Sequence, residues 1–208
     1  MPRDSTDRYA DFAELARQER AGVDYRIRLS SASAAFAIVA PHGGGIEPGT
    51  SELAEAVAGE RLSFYAFEGL KRSGNAALHV TSTRFDEPLG LALVARCDSV
   101  LTLHGEQGLD PAVEVHLGGL DEVVGARIGQ ALGERGFRVR RAVGLFAGRE
   151  PENLCNRGRS GRGVQLELSR ALRESAFESF SARGRTQRTT RFHDLVQAIV
   201  VALASPAR

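Results

Sequence analysis

Cysteine is scarce in this chain of 208 residues, which holds only Cys97 and Cys155. Two thiols make at most one internal bridge. A disulfide framework is therefore excluded, a reducing compartment is the default, and two lone buried thiols are the expected state. Long apolar runs are missing as well. The longest, AIVVALA at 198–204, falls far short of the ~20 residues that span a bilayer. The opening stretch MPRDSTDRYADF lacks the apolar core of a signal peptide. Neither sign of charge dominates: 27 basic side chains stand against 26 acidic ones. Nothing global calls for nucleic acid or a membrane surface as partner. The one basic, low-apolar segment, SARGRTQRTTR at 181–191, lacks interleaved aromatics. No Gly-Lys-Ser/Thr follows the glycines at 43–45, so they do not form a P-loop. These absences leave the expectation of a soluble, cytoplasmic protein that binds neither nucleic acid nor membrane, with extracellular action after lysis left open; a monomer is expected.

Apolar residues make up 42% of the chain, enough for the core of one domain over 1–208. The pattern predicts helices over 8–19, from Thr50 or Ser51 to Gly59, over 84–97, over 120–135 with Gly136 behind it, and over 190–204. Strands are predicted over 35–41 (ending at Pro41), 62–67, 78–83, 99–103, 112–117, 137–141 and 163–168. Alternation of the two types gives the α/β class, with a central sheet covered on both faces.

In open α/β sheets, sites gather beyond the carboxyl ends of strands. His42 follows one predicted strand, His104 follows another, and Glu167 ends a third. Glu47 lies just past His42 across a Gly-Gly-Gly bend, which lets the loop fold back without side-chain clashes. Two imidazoles and one carboxylate match the three protein ligands of a catalytic Zn2+ site with one open position. Glu167 is the candidate general base on water, with an ion pair to a nearby arginine as the structural alternative. Asn156, Arg157, Arg159 and Arg162 crowd into NRGRSGRG ahead of the Glu167 strand. Guanidinium groups bind carboxylates through paired hydrogen bonds, so an anionic ligand is expected there, beside the metal. Phosphate is a rival ligand, and a solvated basic loop is the alternative without function.

The segments APHGGGIEPGTSELAEAVAG, FYAFEG, LHVTSTRFDEP, LHG and CNRGRSGRGVQLELS resemble the poly-γ-glutamate hydrolase family of phages and bacteria, over residues 8 to 200. The resemblance implies a three-layer αβα sandwich with a mixed sheet, related to carboxypeptidase-like zinc hydrolases. It implies metal ligands at His42, Glu47 and His104, a general base at Glu167, and a substrate-carboxylate pair at Asn156-Arg157. The spacing HxxxxE departs from the tighter HxxE of carboxypeptidases and belongs to the γ-glutamate branch. His79 falls within a matching segment, as a substrate contact or a structural hydrogen bond, and Glu106 has no assigned role. The implied substrate is an anionic γ-linked glutamate polymer, whose free α-carboxylates the arginines would dock. Two other functions remain at this point: a zinc amidase or deacylase of small N-acyl amino acids, and a non-catalytic anion-binding domain.

Overall fold

Seven strands hydrogen-bond into one mixed sheet in the computed structural model, which describes residues 7–106 and 112–204. In chain order they are β1 (Tyr25–Ser30), β2 (Ser33–Gly44), β3 (Leu62–Gly69), β4 (Ser99–Gly105), β5 (Glu114–Gly119), β6 (Arg138–Arg141) and β7 (Val164–Leu168). Across the sheet they lie in the order β1-β3-β2-β4-β7-β5-β6. Strands β3, β2, β4 and β7 are mutually parallel. β1 runs antiparallel on β3, and β5 antiparallel on β7 with β6 parallel beside it.

The central strands are apolar on both faces, as expected of parallel strands covered on both sides. Leu101, Leu103, Val164, Leu166 and Leu168 point into one core with α2 (Thr50–Ala58), α4 (Glu122–Glu134) and α6 (Thr190–Ala204). Ala37, Val39, Tyr65, Phe67 and Val100 point into the other, with α1 (Phe12–Gln18) and α3 (Pro88–Val94). The result is the expected three-layer α/β sandwich. A short sixth helix, α5 (Arg170–Ser175), follows β7 directly, capped by the Ser169 side chain. The sequence pattern did not reveal it.

Three expectations are corrected. β2 does not stop at Pro41 but continues to Gly44, with a register shift between Ala40 and Gly43 that accommodates the missing proline N–H. Thr50 and Ser51 do not cap α2, whose N-cap is Gly49. Their hydroxyls turn to the preceding loop instead: Thr50 Oγ1 donates to the Glu47 carbonyl, and Ser51 Oγ accepts from Gly44 N–H. Residues 78–83 are not a strand. A 3₁₀ turn over Asn75–Leu78 leads into irregular chain, and that chain's polar groups serve the site rather than a ladder.

Candidate active site

The carboxyl ends of β2, β4 and β7 converge at one place, and each delivers a buried polar side chain. His42, Glu47, His104 and Glu167 are 1%, 7%, 4% and 6% exposed, so all four are largely shielded from bulk water. Glu47 reaches the site because the chain doubles back behind His42, with Glu47 N–H donating to the His42 carbonyl at 2.8 Å. Gly44 makes that turn with φ +63°, and a Cβ there would stand 2.6 Å from the Gly69 carbonyl oxygen.

Hydrogen bonds fix the imidazoles from behind. His42 Nε2 lies 2.8 Å from the Val80 carbonyl, which can only accept, so the proton sits on Nε2 and Nδ1 faces inward. His104 Nε2 is 3.4 Å from Ser82 Oγ, and its Nδ1 also faces inward. The two Nδ1 atoms are 3.2 Å apart, and His42 Nδ1 is 3.2 Å from Glu47 Oε1. Glu47 Oε2 accepts from Gly105 N–H at 2.8 Å and lies 3.9 Å from His104 Nδ1. Two inward ring nitrogens and a carboxylate oxygen, each ring tied off at its far nitrogen, form a donor set that suits zinc.

His79 belongs to the same cluster. Its ring centroid is 4.0 Å from that of His42, and its Nε2 is 3.9 Å from Glu47 Oε1. His42, Glu47 and His79 each offer a ligand atom within 4.8 Å of the others, so this trio too could hold a metal ion. Asp7 binds His79 Nδ1 at 2.6 Å and also accepts from Thr81 N–H and Thr81 Oγ1, which orients the ring.

Charge follows burial and neighbours. Burial opposes ionisation of Glu47, but the adjacent imidazoles, His42 first, hold its pKa down at about 2. Burial likewise works against protonation of His42, yet the Glu47 carboxylate outweighs it and the pKa rises. His104 is pushed down to about 3 by burial, with Glu47 opposing and His42 adding to the fall. Burial and the Glu47 charge raise Glu167 well above the ordinary carboxyl range, although Gln165 Nε2 donates to its Oε1 at 2.9 Å. Glu167 sits directly across from His104 in the parallel β4–β7 register, on the same face.

The arginine loop lies elsewhere. Arg159 N–H donates to the Cys97 carbonyl, and its guanidinium meets Asp98 at 3.4 Å. Ser99 Oγ donates to the Arg162 carbonyl. Arg159 and Arg162 therefore stand at the start of β4, about 16 Å of extended strand from His104. They flank the opposite end of the sheet from the histidines, because the loop precedes β7 and Glu167 lies near that strand's far end. Asn156 is buried and fully used: Nδ2 donates to the Gly148 and Glu150 carbonyls, and Oδ1 accepts from Gly163 and Leu120 N–H. It holds loops together and has no hydrogen-bonding capacity left for substrate. Arg157 donates to the Phe85 carbonyl at 3.3 Å, and the Phe85 ring lies 6.4 Å from that of His42. Cys97 and Cys155 are free and buried, and burial pushes the Cys155 thiol up to about 12.

Sequence patterns gave no hint of Arg173 on α5. Its side chain is buried, and the guanidinium donates to the carbonyls of Pro48, Glu106 and Leu168. These residues directly follow, or lie two past, Glu47, His104 and Glu167. A Cβ on Gly105 would come 2.5 Å from Arg173 Cζ, so the glycine after His104 makes room for it. No helix among the described residues is long and apolar enough to cross a membrane.

Residues 9–198 match the family model described as Poly-gamma-glutamate hydrolase. Two Bacillus subtilis (strain 168) proteins are 38% identical to the chain. YndL aligns over 93% of this chain and 76% of its own length, and YmaC over 95% and 84%. Among solved structures, a bacteriophage poly-gamma-glutamate hydrolase superposes with a TM-score of 0.91 at 36% identity, covering 95% of this chain and 96% of its own. YndL in a zinc-free apo form superposes with a TM-score of 0.89 at 35% identity, covering 95% and 97%. With nearly its whole length matched in sequence and fold, the chain belongs to the poly-gamma-glutamate hydrolase family.

Proposed function

We propose that the protein is a zinc-dependent hydrolase of γ-glutamyl amide bonds in poly-γ-glutamate, with Glu167 as general base. The observation that carries this is the meeting of His42 Nδ1, His104 Nδ1 and the Glu47 carboxylate beside Glu167. His42, Glu47 and His104 are the ligand set the donor chemistry favours. His104 is neutral and presents a lone pair 3.2 Å from the inward nitrogen of His42, whereas His79 is the partly exposed ring at the rim of the cluster. When bound, zinc supplies Lewis acidity that polarises the amide carbonyl and acidifies water.

The chain's own groups then divide the work. Glu167 accepts a proton from the attacking water and passes it to the leaving amine nitrogen. In the metal-free protein its carboxyl holds a proton more tightly than an ordinary glutamate, because burial and Glu47 both disfavour charge there. Positive charge bound by Glu47 would offset that repulsion and bring Glu167 toward the range in which a base works. His79 lies at the rim of the cluster, where it meets substrate, and Arg157 adds a cation on the Phe85 side. The buried walls exclude bulk water, which strengthens each of these electrostatic contacts.

Purified protein given zinc should shorten poly-γ-glutamate on a gel, and chelation should stop it. No shortening with zinc supplied would remove the substrate assignment. Glu167→Gln should keep metal content and lose turnover by a factor of about 100 to 10,000, the usual scale of a general base. A variant that still turns over would remove Glu167 from that role.

A further inference from the structure

Strand registers place His104, Glu167, His116 and Arg140 in one row across the sheet, on adjacent strands β4, β7, β5 and β6. The row leaves the metal cluster and ends at the sheet edge. Above its outer half opens a cavity of about 800 Å³, bounded by Glu106, His116, Arg138, Arg140, Arg141 and Phe146. The buried Glu114 carboxylate anchors the cationic floor: Arg140 Nε lies 2.9 Å from it, Arg138 Nε 3.4 Å, and His116 Nε2 2.8 Å. Arg141 is tied at 3.4 Å to the exposed Glu122. Three exposed guanidinium groups thus outnumber the two carboxylates, Glu106 and Glu114, that line the same space.

From this geometry we infer that the β6 groove is the subsite for the free carboxylates of the polymer, in place of the NRGRSGRG loop. The inference rests on the proposed substrate and adds where the chain lies. Three strand spacings of ~4.8 Å separate Arg140 from His104, about 14 Å. A γ-linked residue is an α-residue of ~3.6 Å lengthened by two C–C bonds, roughly 6 Å in all. Arg140 therefore stands about two residues along the chain from the bond at the metal cluster. Arg138 and Arg140 alternate on β6 and share its inner face, so successive α-carboxylates meet successive guanidiniums. Glu114 holds two of those forks in place beforehand, which reduces the side-chain entropy that binding would otherwise cost.

The test uses a fluorescent γ-glutamyl oligomer and full-length protein in a Glu167→Gln background, so that binding is read without cutting. Adding Arg138→Gln and Arg140→Gln should weaken binding about tenfold or more and flatten its dependence on salt. Restoring charge with Arg138→Lys and Arg140→Lys should recover part of the loss. Arg159→Gln with Arg162→Gln, at the other end of the sheet, should leave binding unchanged. Thermal unfolding of each variant controls for lost fold. The subsite is overturned if the parent does not bind the oligomer, if the β6 variants bind as tightly as the parent, or if the loop pair weakens binding equally. Arginine-dependent binding without hydrolysis by zinc-loaded wild type would sink the catalytic assignment and leave the subsite standing. Hydrolysis with binding indifferent to β6 would do the reverse.

Discussion

Glu167 is a buried carboxyl that holds its proton more tightly in the metal-free fold than in the unfolded chain, and this has a thermodynamic sign. Its folded pKa is raised, so it holds a proton that the unfolded chain releases above the ordinary glutamate value of 4.5. Its contribution to stability is then present at acid pH and lost as pH rises. Glu167→Gln should make the metal-free protein more stable than wild type at pH 7, and the two should converge below pH 4.5, as urea titrations at both pH values would show. An advantage that grew toward acid would contradict the assignment. His42 carries a second sign. Its pKa is raised, and a ligand must be neutral, so binding zinc displaces that proton. Apparent zinc affinity should fall at least tenfold per pH unit below the His42 pKa, with at least one proton released per ion and more where Glu167 also ionises, measurable by calorimetry in buffers of different ionisation heat. The four residues His42, Glu47, His104 and Glu167 were legible in the sequence because each sits at, or just past, the end of an apolar strand, and parallel strand ends converge. Asn156, Arg159 and Arg162 were not. Their loop precedes its strand, and sequence proximity to Glu167 concealed a full strand length between them.

The segment 78–83 has the composition of a strand, yet its backbone is committed to the site: the Val80 carbonyl holds His42, the Ser82 carbonyl accepts from Leu154 N–H, and Thr81 N–H binds Asp7. β-propensity reports fit to a half-buried surface, and the same residues fit a buried loop whose polar groups are satisfied by others. Strand β6 was read correctly as an element, but its arginines gained meaning only from register, which placed them in line with Glu167. Helix α5 is too short for periodicity to reveal, and it carries Arg173. One guanidinium there joins the loops behind Glu47, His104 and Glu167 through three carbonyls. Arg173→Met should destabilise the protein by roughly 3–5 kcal/mol, since three buried acceptors lose a charged donor. Arg173→Lys should also lose stability, because a single ammonium cannot span the three directions of the fork. A urea midpoint unchanged in both variants would show that the loops hold their places without it.

At the scale of the whole molecule, the proposed metal ligands come from strands that join both hydrophobic cores through the sheet, so holding an ion there would be coupled to folding of the entire unit. An ion bound by the folded state alone adds stability by mass action, about 2.7 kcal/mol at a hundredfold excess over its dissociation constant. For a chain of this length each kcal/mol moves the melting temperature by about 2–4 °C, so zinc should raise it by about 5–11 °C, and a chelator should return it. The same measurement decides between the two histidine sets around Glu47. His104 Nδ1 and His79 Nε2 each stand 3.9 Å from Glu47, but His104 Nδ1 also faces His42 Nδ1 at 3.2 Å and is the more deeply buried. His104→Ala should therefore abolish the zinc-induced rise, and His79→Ala should preserve most of it. The opposite pattern would move the third ligand to His79 and leave His104 as a packing partner of His42. Loss of the rise in neither variant would mean that the ion is held somewhere other than this cluster.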